Sequence, residues 1–294
     1  MNSPNAIKLA LGTVQFGLPY GIANHAGQVA RAEAKAILQF ALVNGIDMLD
    51  TAIAYGDSEA CLGEVGIHDF KLITKLPAVP DDCADISAWV QQQVRASLSR
   101  LGTDAVYGIL LHLPDQLLGP NGCKLYQALQ ALKCNGQVEK VGISIYSPGE
   151  LAKLTPQYFF DIVQAPFNLL DRRLYSSGWL QRLKDDGVEV HTRSAFLQGL
   201  LLMKKADIPA KFLPWDGLWQ AWHFWLKSHR ISAVHASLAF PLSFPEIDRV
   251  VVGVESITQL AQILSAENGP SLKDLPDLFC EDENLINPAN WNQL

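Results

Sequence analysis

The chain has 294 residues, of which 49% are hydrophobic, and it carries a formal net charge of −7. This length allows a large buried core, and α/β barrels of this size fold as single units. The acidic balance, with no basic run to neutralise phosphates, excludes a nucleic-acid-binding protein.

The cysteines and the N-terminus indicate the compartment. The five scattered cysteines show no CxxC spacing, which predicts reduced thiols and no metal site. The N-terminus lacks the basic and apolar regions of a signal peptide, and no stretch reaches the ~18 apolar residues of a membrane-spanning helix. We therefore expect a cytoplasmic protein with no membrane association.

Short runs rich in Val, Ile and Leu alternate along the chain with longer amphipathic stretches. Such runs are typical of strands that are covered on both faces. Apolar residues at three- and four-residue spacing predict helices over 31–45 and 86–102, each ending at a glycine. The predicted strands are residues 8–14, 47–52, 71–76, 105–113, 140–146, 161–167, 188–196 and 249–254.

Eight such strand–helix units favour a closed (β/α)8 TIM barrel, formed as a single domain by residues 1–294. A doubly wound sheet is disfavoured because no GxGxxG turn follows the first strand. The segment 203–231 is longer than an ordinary barrel connection, and the chain from about residue 267 is predicted to form an irregular tail.

Four polar residues lie at or just after the ends of three successive predicted strands. Asp50 closes the second strand and Tyr55 follows it in the loop, while Lys75 and His112 lie at the ends of the third and fourth. In a parallel barrel these ends meet at one rim, where the active sites of this fold are found. The strand prediction alone therefore brings the four residues together.

The chemistry of these side chains suits proton transfer to a carbonyl oxygen. A free tyrosine, with a pKa of about 10, exchanges protons poorly near neutrality, and a neighbouring lysine would favour its phenolate. At ~4 Å and an effective dielectric constant of ~20 this attraction is about 4 kcal/mol. The lysine in turn needs a counterion, which Asp50 would supply, and His112 would hydrogen-bond the carbonyl oxygen.

Each of these residues also has an ordinary structural interpretation. A strand-end aspartate often caps the next element, a tyrosine after a strand often packs at the rim, and a single lysine is usually solvated. Their occurrence together, in order and at successive strand ends, favours a joint catalytic role.

The sequence resembles the aldo-keto reductases over most of its length. The matching segments, in chain order, are LALGTVQFG, DTAIAYGDSE, GQVEKVGISIYSP, DIVQAPFNLLDRR, VHTRSAFLQGLL and VVVGVESITQL. The resemblance implies an NAD(P)H-dependent oxidoreductase that interconverts an aldehyde or ketone, including a sugar, and its alcohol. It also implies that the nicotinamide supplies a hydride and Tyr55 the proton.

The resemblance carries over to the cofactor contacts residue by residue. Ser144 and Gln164 match positions that bind the nicotinamide carboxamide, but Ile145 replaces a usual asparagine. Arg193 replaces the aromatic residue on which the nicotinamide usually rests; a guanidinium can also stack, although a salt bridge at the rim is the alternative. The implied cofactor-binding residues are Gly12, Thr13, Ser144, Gln164, Arg193, Ser194, Phe196, Gln198, Gly199, Val254, Glu255, Ser256 and Gln259.

The segment VVVGVESITQL predicts relaxed cofactor choice between NADPH and NADH. Many NADPH-using relatives carry Lys and Arg where this chain has Glu255 and Ser256. A carboxylate repels a 2′-phosphate but accepts hydrogen bonds from a free ribose hydroxyl. Ser256 has a second interpretation, as the N-cap of the last barrel helix.

The helical spacing of four tryptophans, Trp215, Trp219, Trp222 and Trp225, predicts one face of a helix. That face either packs on the barrel wall or lines the substrate mouth, together with Phe16 or Trp291. His191, His223, His229 and His235 show no ligand or triad spacing and are interpreted as structural.

Two other functions compete with the reductase. The first is a regulatory subunit of the same fold that binds the cofactor and turns over slowly; the second is a barrel lyase or isomerase, disfavoured by the lack of metal ligands and phosphate-site glycines. The sequence specifies neither the substrate, the direction of the reaction nor the oligomeric state.

Overall fold

The structure, a computed structural model, describes residues 7–24, 26–269, 272 and 275–294. Its eight parallel strands pair in chain order, and β1 also pairs with β8 to close the barrel. The predicted (β/α)8 barrel is thus confirmed. The strands are β1 Leu9–Gly12, β2 Met48–Asp50, β3 Lys71–Leu76, β4 Val106–Leu111, β5 Val138–Ser144, β6 Ile162–Pro166, β7 Glu189–Arg193 and β8 Arg249–Gly253.

Helices follow each strand on the outside of the barrel, and most of the core lies between the two layers. Shorter 3-10 helices lie in the connections after β4 and β7 and near the C-terminus. The α-helices are α1 Val14–Gly17, α2 Arg31–Val43, α3 Ser58–Val65, α4 Ile86–Leu101, α5 Gly122–Cys134, α6 Pro148–Leu154, α7 Arg173–Ser176, α8 Trp179–Asp185, α9 Asp216–His229, α10 Ala233–Leu242, α11 Ile257–Glu267 and α12 Glu283–Ile286.

Helix α4 shows how the local sequence sets these bounds. The Asp85 side chain accepts a hydrogen bond from the Ala88 amide at 2.9 Å and caps the first turn. The helix ends where Gly102 turns left-handed, with φ 67°. The prediction for α2 extends two residues too far, because the chain leaves the helix after Val43 and turns at Gly45, with φ 85°.

Side chains alternate along the strands, and this alternation places the polar residues inside the barrel. A small apolar cluster contains Met48, Ile73, Leu110 and Ile162. Residues two positions further along a strand share its face, so the side chains at 50, 75, 112 and 164 follow this cluster toward the carboxyl end of the barrel. The apolar layer therefore forms the floor beneath them.

A buried carboxylate fixes α3, which begins just after Tyr55. Glu59 is 1% exposed, and its Oε1 accepts hydrogen bonds from Thr74 at 2.7 Å and Ser97 at 2.6 Å. Its Oε2 pairs with Arg100 at 2.6 Å. Because these partners belong to β3 and α4, Glu59 anchors α3 to both elements.

The connection between β7 and β8, which includes the long segment 203–231, contains α9 and α10. Trp219 and Trp222 are each 1% exposed, and their indole N–H groups donate to the carbonyls of Phe212 and Leu201. Trp219 and Trp222 therefore pack in the core, which is the first of the two alternatives predicted for the tryptophan face. In the tail, residues 270, 271, 273 and 274 lie outside the described part; further on, the buried Trp291 donates to the Leu285 carbonyl at 2.9 Å.

Candidate active site

The carboxyl ends of β2, β3 and β4 bring the four predicted catalytic residues together. Asp50 ends β2, Lys75 is the penultimate residue of β3, and His112 directly follows β4. Tyr55 lies in the short connection between β2 and α3. Because the strands are parallel and adjacent, all four lie at one rim of the barrel.

Lys75 lies at the centre of this group and is 1% exposed. Its ammonium donates to Asp50 Oδ1 at 2.6 Å, to the Thr51 carbonyl at 2.9 Å and to the Tyr55 hydroxyl at 3.4 Å. Burial alone would lower the pKa of Lys75, but the Asp50 carboxylate and the Tyr55 hydroxyl outweigh it and raise that pKa above its ordinary value. The lysine therefore stays charged beneath the tyrosine.

Asp50 has a second partner that sequence reasoning did not foresee. Its Oδ2 accepts a hydrogen bond of 2.7 Å from Gln164 Nε2, across the barrel from β6. Ser144 Oγ donates to Gln164 Oε1 at 3.2 Å. Two residues predicted for the carboxamide thus belong to the same hydrogen-bond network as the catalytic candidates.

His112 faces the Tyr55 ring edge-on, with 5.9 Å between ring centroids. Burial, with the positive charges of Lys75 and Arg193, lowers the pKa of His112 to about 4. The imidazole is therefore neutral near pH 7, with one nitrogen as a donor and one as an acceptor. A neutral imidazole can donate a hydrogen bond to a carbonyl oxygen without competing to protonate it.

A cavity of about 570 Å³ opens beside this group and is lined by most of the predicted residues. Lys75 does not line it but lies behind Asp50 and Tyr55. Val254 is buried in the core, and Ser256 caps α11 by accepting a hydrogen bond from the Gln259 amide at 3.3 Å. The predicted residues that line the cavity are Gly12, Thr13, Asp50, Tyr55, His112, Ser144, Gln164, Arg193, Ser194, Phe196, Gln198, Gly199, Glu255 and Gln259.

Sequence reasoning missed several other lining residues. Tyr20 comes from the loop after β1, and Tyr146 lies two residues beyond Ser144. Tyr146 stands in the segment GQVEKVGISIYSP, so its position next to predicted contacts was an available signal. The further lining residues of this kind include Gln15, Asn24, Val234, Gln262 and Ile263.

Arg193, at the end of β7, is held on an aromatic ring. Its guanidinium lies 4.7 Å from the centroid of Tyr146 and donates to the Ile145 carbonyl at 3.0 Å. A second nitrogen lies 3.4 Å from the Ser194 hydroxyl. These contacts fix the plane of the guanidinium at the cavity wall.

The loop after β7 crosses the cavity in a strained conformation. Ser194, Leu197 and Gln198 all have left-handed φ angles between 48° and 63°, which side chains rarely adopt. Gln198 donates to the Tyr20 hydroxyl at 3.0 Å, and a Cβ on Gly199 would lie 2.5 Å from that of Ala23. The loops after β1 and β7 therefore touch across the opening.

The residues of the cavity fit a dinucleotide. Gln15 Oε1 is buried and has no hydrogen-bond partner among the described residues, and Gln15 lines the cavity. A Cβ on Gly253 would lie 2.7 Å from the Gln15 amide, so the missing side chain leaves room for this amide at the cavity wall. At the other end of the cavity, the side-chain oxygens of Ser144 and Gln164 can each still accept a hydrogen bond from a carboxamide.

Among the described residues, no cluster of His, Cys, Asp and Glu could hold a metal ion, and no helix is long and apolar enough to cross a membrane. A second cavity, of about 400 Å³, lies at the opposite end of the barrel. Its charged groups are all paired, Lys140 with Glu189, Lys184 with Asp248, and Arg249 with Asp47 from outside the cavity.

A barrel with this site defines an NAD(P)-dependent oxidoreductase. The chain belongs to the aldo/keto reductase family, whose model matches residues 8–274. The family resemblance drawn from the sequence is thereby confirmed. Members of this family reduce carbonyl compounds with NAD(P)H.

Curated relatives agree with this assignment, and solved structures show the same fold. The chain is 28% identical over 262 residues to the uncharacterized oxidoreductase YqkF of Bacillus subtilis, which covers 82% of this chain and 84% of that protein. It is 29% identical over 201 residues to a 6-dehydroglucose reductase of Agrobacterium fabrum, with 62% and 66% covered. The holo form of the aldo-keto reductase AKR11C1 of Bacillus halodurans superposes with a TM-score of 0.72 at 22% identity, over 90% of this chain and 88% of the other.

Proposed function

We propose that the protein reduces an aldehyde or ketone to its alcohol, with Tyr55 as the proton donor and a nicotinamide dinucleotide in the cavity. The observation that carries this proposal is the contact of a buried ammonium, Lys75, with both the Asp50 carboxylate and the Tyr55 hydroxyl. A charged lysine held by a carboxylate has no structural need of a tyrosine hydroxyl, but it stabilises the phenolate that remains after proton transfer.

Tyr55 and His112 have different roles in the reduction. The substrate oxygen lies between the Tyr55 hydroxyl and the His112 imidazole, and the dinucleotide, when bound, supplies the hydride to the carbonyl carbon. Tyr55 transfers its proton to the oxygen as the C–O double bond becomes a single bond. His112, neutral, holds the oxygen by a hydrogen bond, and solvent returns a proton to Tyr55 after the alcohol leaves.

The residues that would hold the dinucleotide follow from the lining of the cavity. Ser144, Gln164 and Arg193 lie next to the catalytic candidates and would hold the nicotinamide. Glu255 and Gln259 lie at the end of the cavity formed by α11 and would face the adenosine.

The carboxylate of Glu255 supports relaxed cofactor choice, with NADH at least competitive. Steady-state kinetics with both cofactors test this part of the proposal. A preference of roughly a hundredfold or more for NADPH in kcat/KM, about 2.7 kcal/mol, would overturn it.

We propose a sugar carbonyl compound as the substrate class. One relative is named a 6-dehydroglucose reductase, and the cavity presents the hydroxyl groups of Tyr20 and Tyr146, which suit sugar hydroxyls. The test compares 6-dehydroglucose with cyclohexanecarbaldehyde, which lacks the hydroxyls, under NADH oxidation. We expect kcat/KM to favour the sugar by about tenfold or more; equal values would remove the sugar from the proposal, and turnover of neither would contradict the reductase site.

A further inference from the structure

A carboxylate from outside the last βα unit occupies the start of α11. Glu33, in the first turn of α2, accepts a hydrogen bond of 3.0 Å from the backbone amide of Ile257, the first residue of α11. The Gln259 amide in the same turn also has an acceptor, because it donates a hydrogen bond to the Ser256 hydroxyl. Two of the first three amides of α11 therefore already have an acceptor within the protein.

This helix start borders the cavity on the side away from His112. In a closed barrel of eight strands in chain order, β8 lies opposite β4, the strand that His112 follows. Glu255, Gln259 and Gln262 line the cavity next to the beginning of α11. A dinucleotide whose nicotinamide lies at Tyr55 therefore reaches α11 with its adenosine.

The amides at a helix start are where a protein commonly binds a phosphate, because they carry unsatisfied N–H groups and the positive end of the helix dipole. Here a carboxylate has taken that position, and a second carboxylate, that of Glu255, lines the cavity nearby. A 2′-phosphate arriving at this end would meet the negative charge of Glu255 at the cavity wall and, at the adjoining helix start, an amide that already donates to the Glu33 carboxylate. A 2′-hydroxyl would meet no such repulsion.

We propose that Glu33 is a specificity-determining residue that discriminates against a 2′-phosphate and so shifts the relaxed cofactor choice toward NADH. This inference rests on the proposed function, in which the cavity binds a nicotinamide dinucleotide. It goes beyond the repulsion expected from Glu255, because Glu33 acts from α2 by occupying a specific amide of α11.

Two substitutions separate the charge of Glu33 from its hydrogen bond. Glu33→Gln removes the charge but keeps an acceptor for the Ile257 amide, whereas Glu33→Ala removes both and frees the amide. The matched control is Glu139→Gln, which removes an exposed carboxylate near the start of β5, at the other end of the barrel from the cavity. Thermal unfolding verifies that each variant is folded.

The measurement is the dissociation constant for NADH and for NADPH, from quenching of tryptophan fluorescence. We expect the wild type to bind NADH more tightly. The ratio of the NADPH constant to the NADH constant should fall about fivefold in Glu33→Gln and about tenfold or more in Glu33→Ala. Binding of NADH should change less than about twofold in both, and Glu139→Gln should keep the wild-type ratio.

Several results would overturn the inference. An unchanged ratio in both Glu33 variants, while the wild type binds NADH, would remove Glu33 as a determinant and leave the proposed function intact. The same conclusion would follow if the wild type bound NADPH more tightly than NADH. It would also follow if Glu139→Gln shifted the ratio as much as the Glu33 variants do. Failure of the folded wild type to bind either dinucleotide would overturn the proposed function, and this inference with it.

Discussion

Gln164 Nε2 donates a 2.7 Å hydrogen bond to Asp50 Oδ2, so the counterion of Lys75 is held from two sides of the barrel. Asp50 is 5% exposed, and its two oxygens face one cation and one amide donor. The residue predicted to bind the nicotinamide carboxamide therefore also fixes the acid on which the buried lysine depends.

This relationship predicts the effect of Gln164→Leu. The substitution leaves one oxygen of a buried carboxylate without its donor, which costs about 1–3 kcal/mol in the free energy of unfolding. Because Asp50 positions Lys75, kcat should fall as well. The control is Gln116→Leu, which removes two hydrogen bonds to Val79 outside the cavity. That variant should lose stability and keep kcat; an unchanged kcat in Gln164→Leu would contradict the coupling.

The lowered pKa of His112 predicts a pH-dependent stability. Since the imidazole has a pKa of about 4 in the folded protein and about 6.5 unfolded, the unfolded state binds more protons between these values. The stability that His112 contributes is complete above pH 6.5 and is lost as the pH falls toward 4. Between pH 8 and pH 5 this loss is about 2 kcal/mol.

Denaturant unfolding of the wild type and of His112→Asn at pH 8 and pH 5 checks this expectation. The asparagine keeps a hydrogen-bond donor but does not titrate, so the variant should lose about 2 kcal/mol less on acidification. Equal losses in the two proteins would show that the imidazole is not held neutral by the fold.

Arg193 should act on the nicotinamide half of the cofactor alone. The guanidinium is fixed on Tyr146, beside Ser144 and Gln164. Arg193→Leu should weaken the binding of NADH about three- to tenfold, because one stacking contact is lost, and it should leave the binding of ADP unchanged. Arg193→Lys should behave similarly, because an ammonium does not reproduce the planar stack. If the binding of ADP weakened equally, Arg193 would have a general structural role instead.

The contact between the loops after β1 and β7 predicts the outcome of Gly199→Ala. Gly199 has φ 90°, and an added Cβ would lie 2.5 Å from Ala23. The loop must shift, which breaks the hydrogen bond between Gln198 and Tyr20 and weakens dinucleotide binding. The control, Gly217→Ala, adds a methyl group to α9 in open space and should leave binding unchanged. Titration with NADH measures both; wild-type affinity in Gly199→Ala would contradict a role of the loop contact.

The barrel could be predicted because its signals are local. Each predicted strand is a short run rich in apolar residues, and each of α2 and α4 has a periodic apolar face. The bounds were less accurate: the predicted strand 188–196 continues past Arg193, where β7 ends, because Ser194 turns left-handed. Apolar composition does not reveal such a turn.

The catalytic candidates could also be predicted, since strand order alone places Asp50, Lys75 and His112 at one rim. The contacts that tie the site together could not. Gln164 and Asp50 lie 114 positions apart, and Glu33 and Ile257 lie 224 apart. Such pairs depend on the closure of the barrel and the packing of helices around it, which no local pattern in one sequence encodes.

The most direct test of the central claim follows deuterium from NADH that is deuterated at both C4 positions into the product of a carbonyl substrate such as 4-nitrobenzaldehyde, in the wild type and in Tyr55→Phe. The wild type should yield the deuterated alcohol. Tyr55→Phe should bind NADH with unchanged affinity but turn over about 10³-fold more slowly, and Tyr126→Phe, whose hydroxyl bonds the Phe159 carbonyl on the surface, should remain fully active. Wild-type turnover without transfer of deuterium, or undiminished turnover in Tyr55→Phe, would contradict the account.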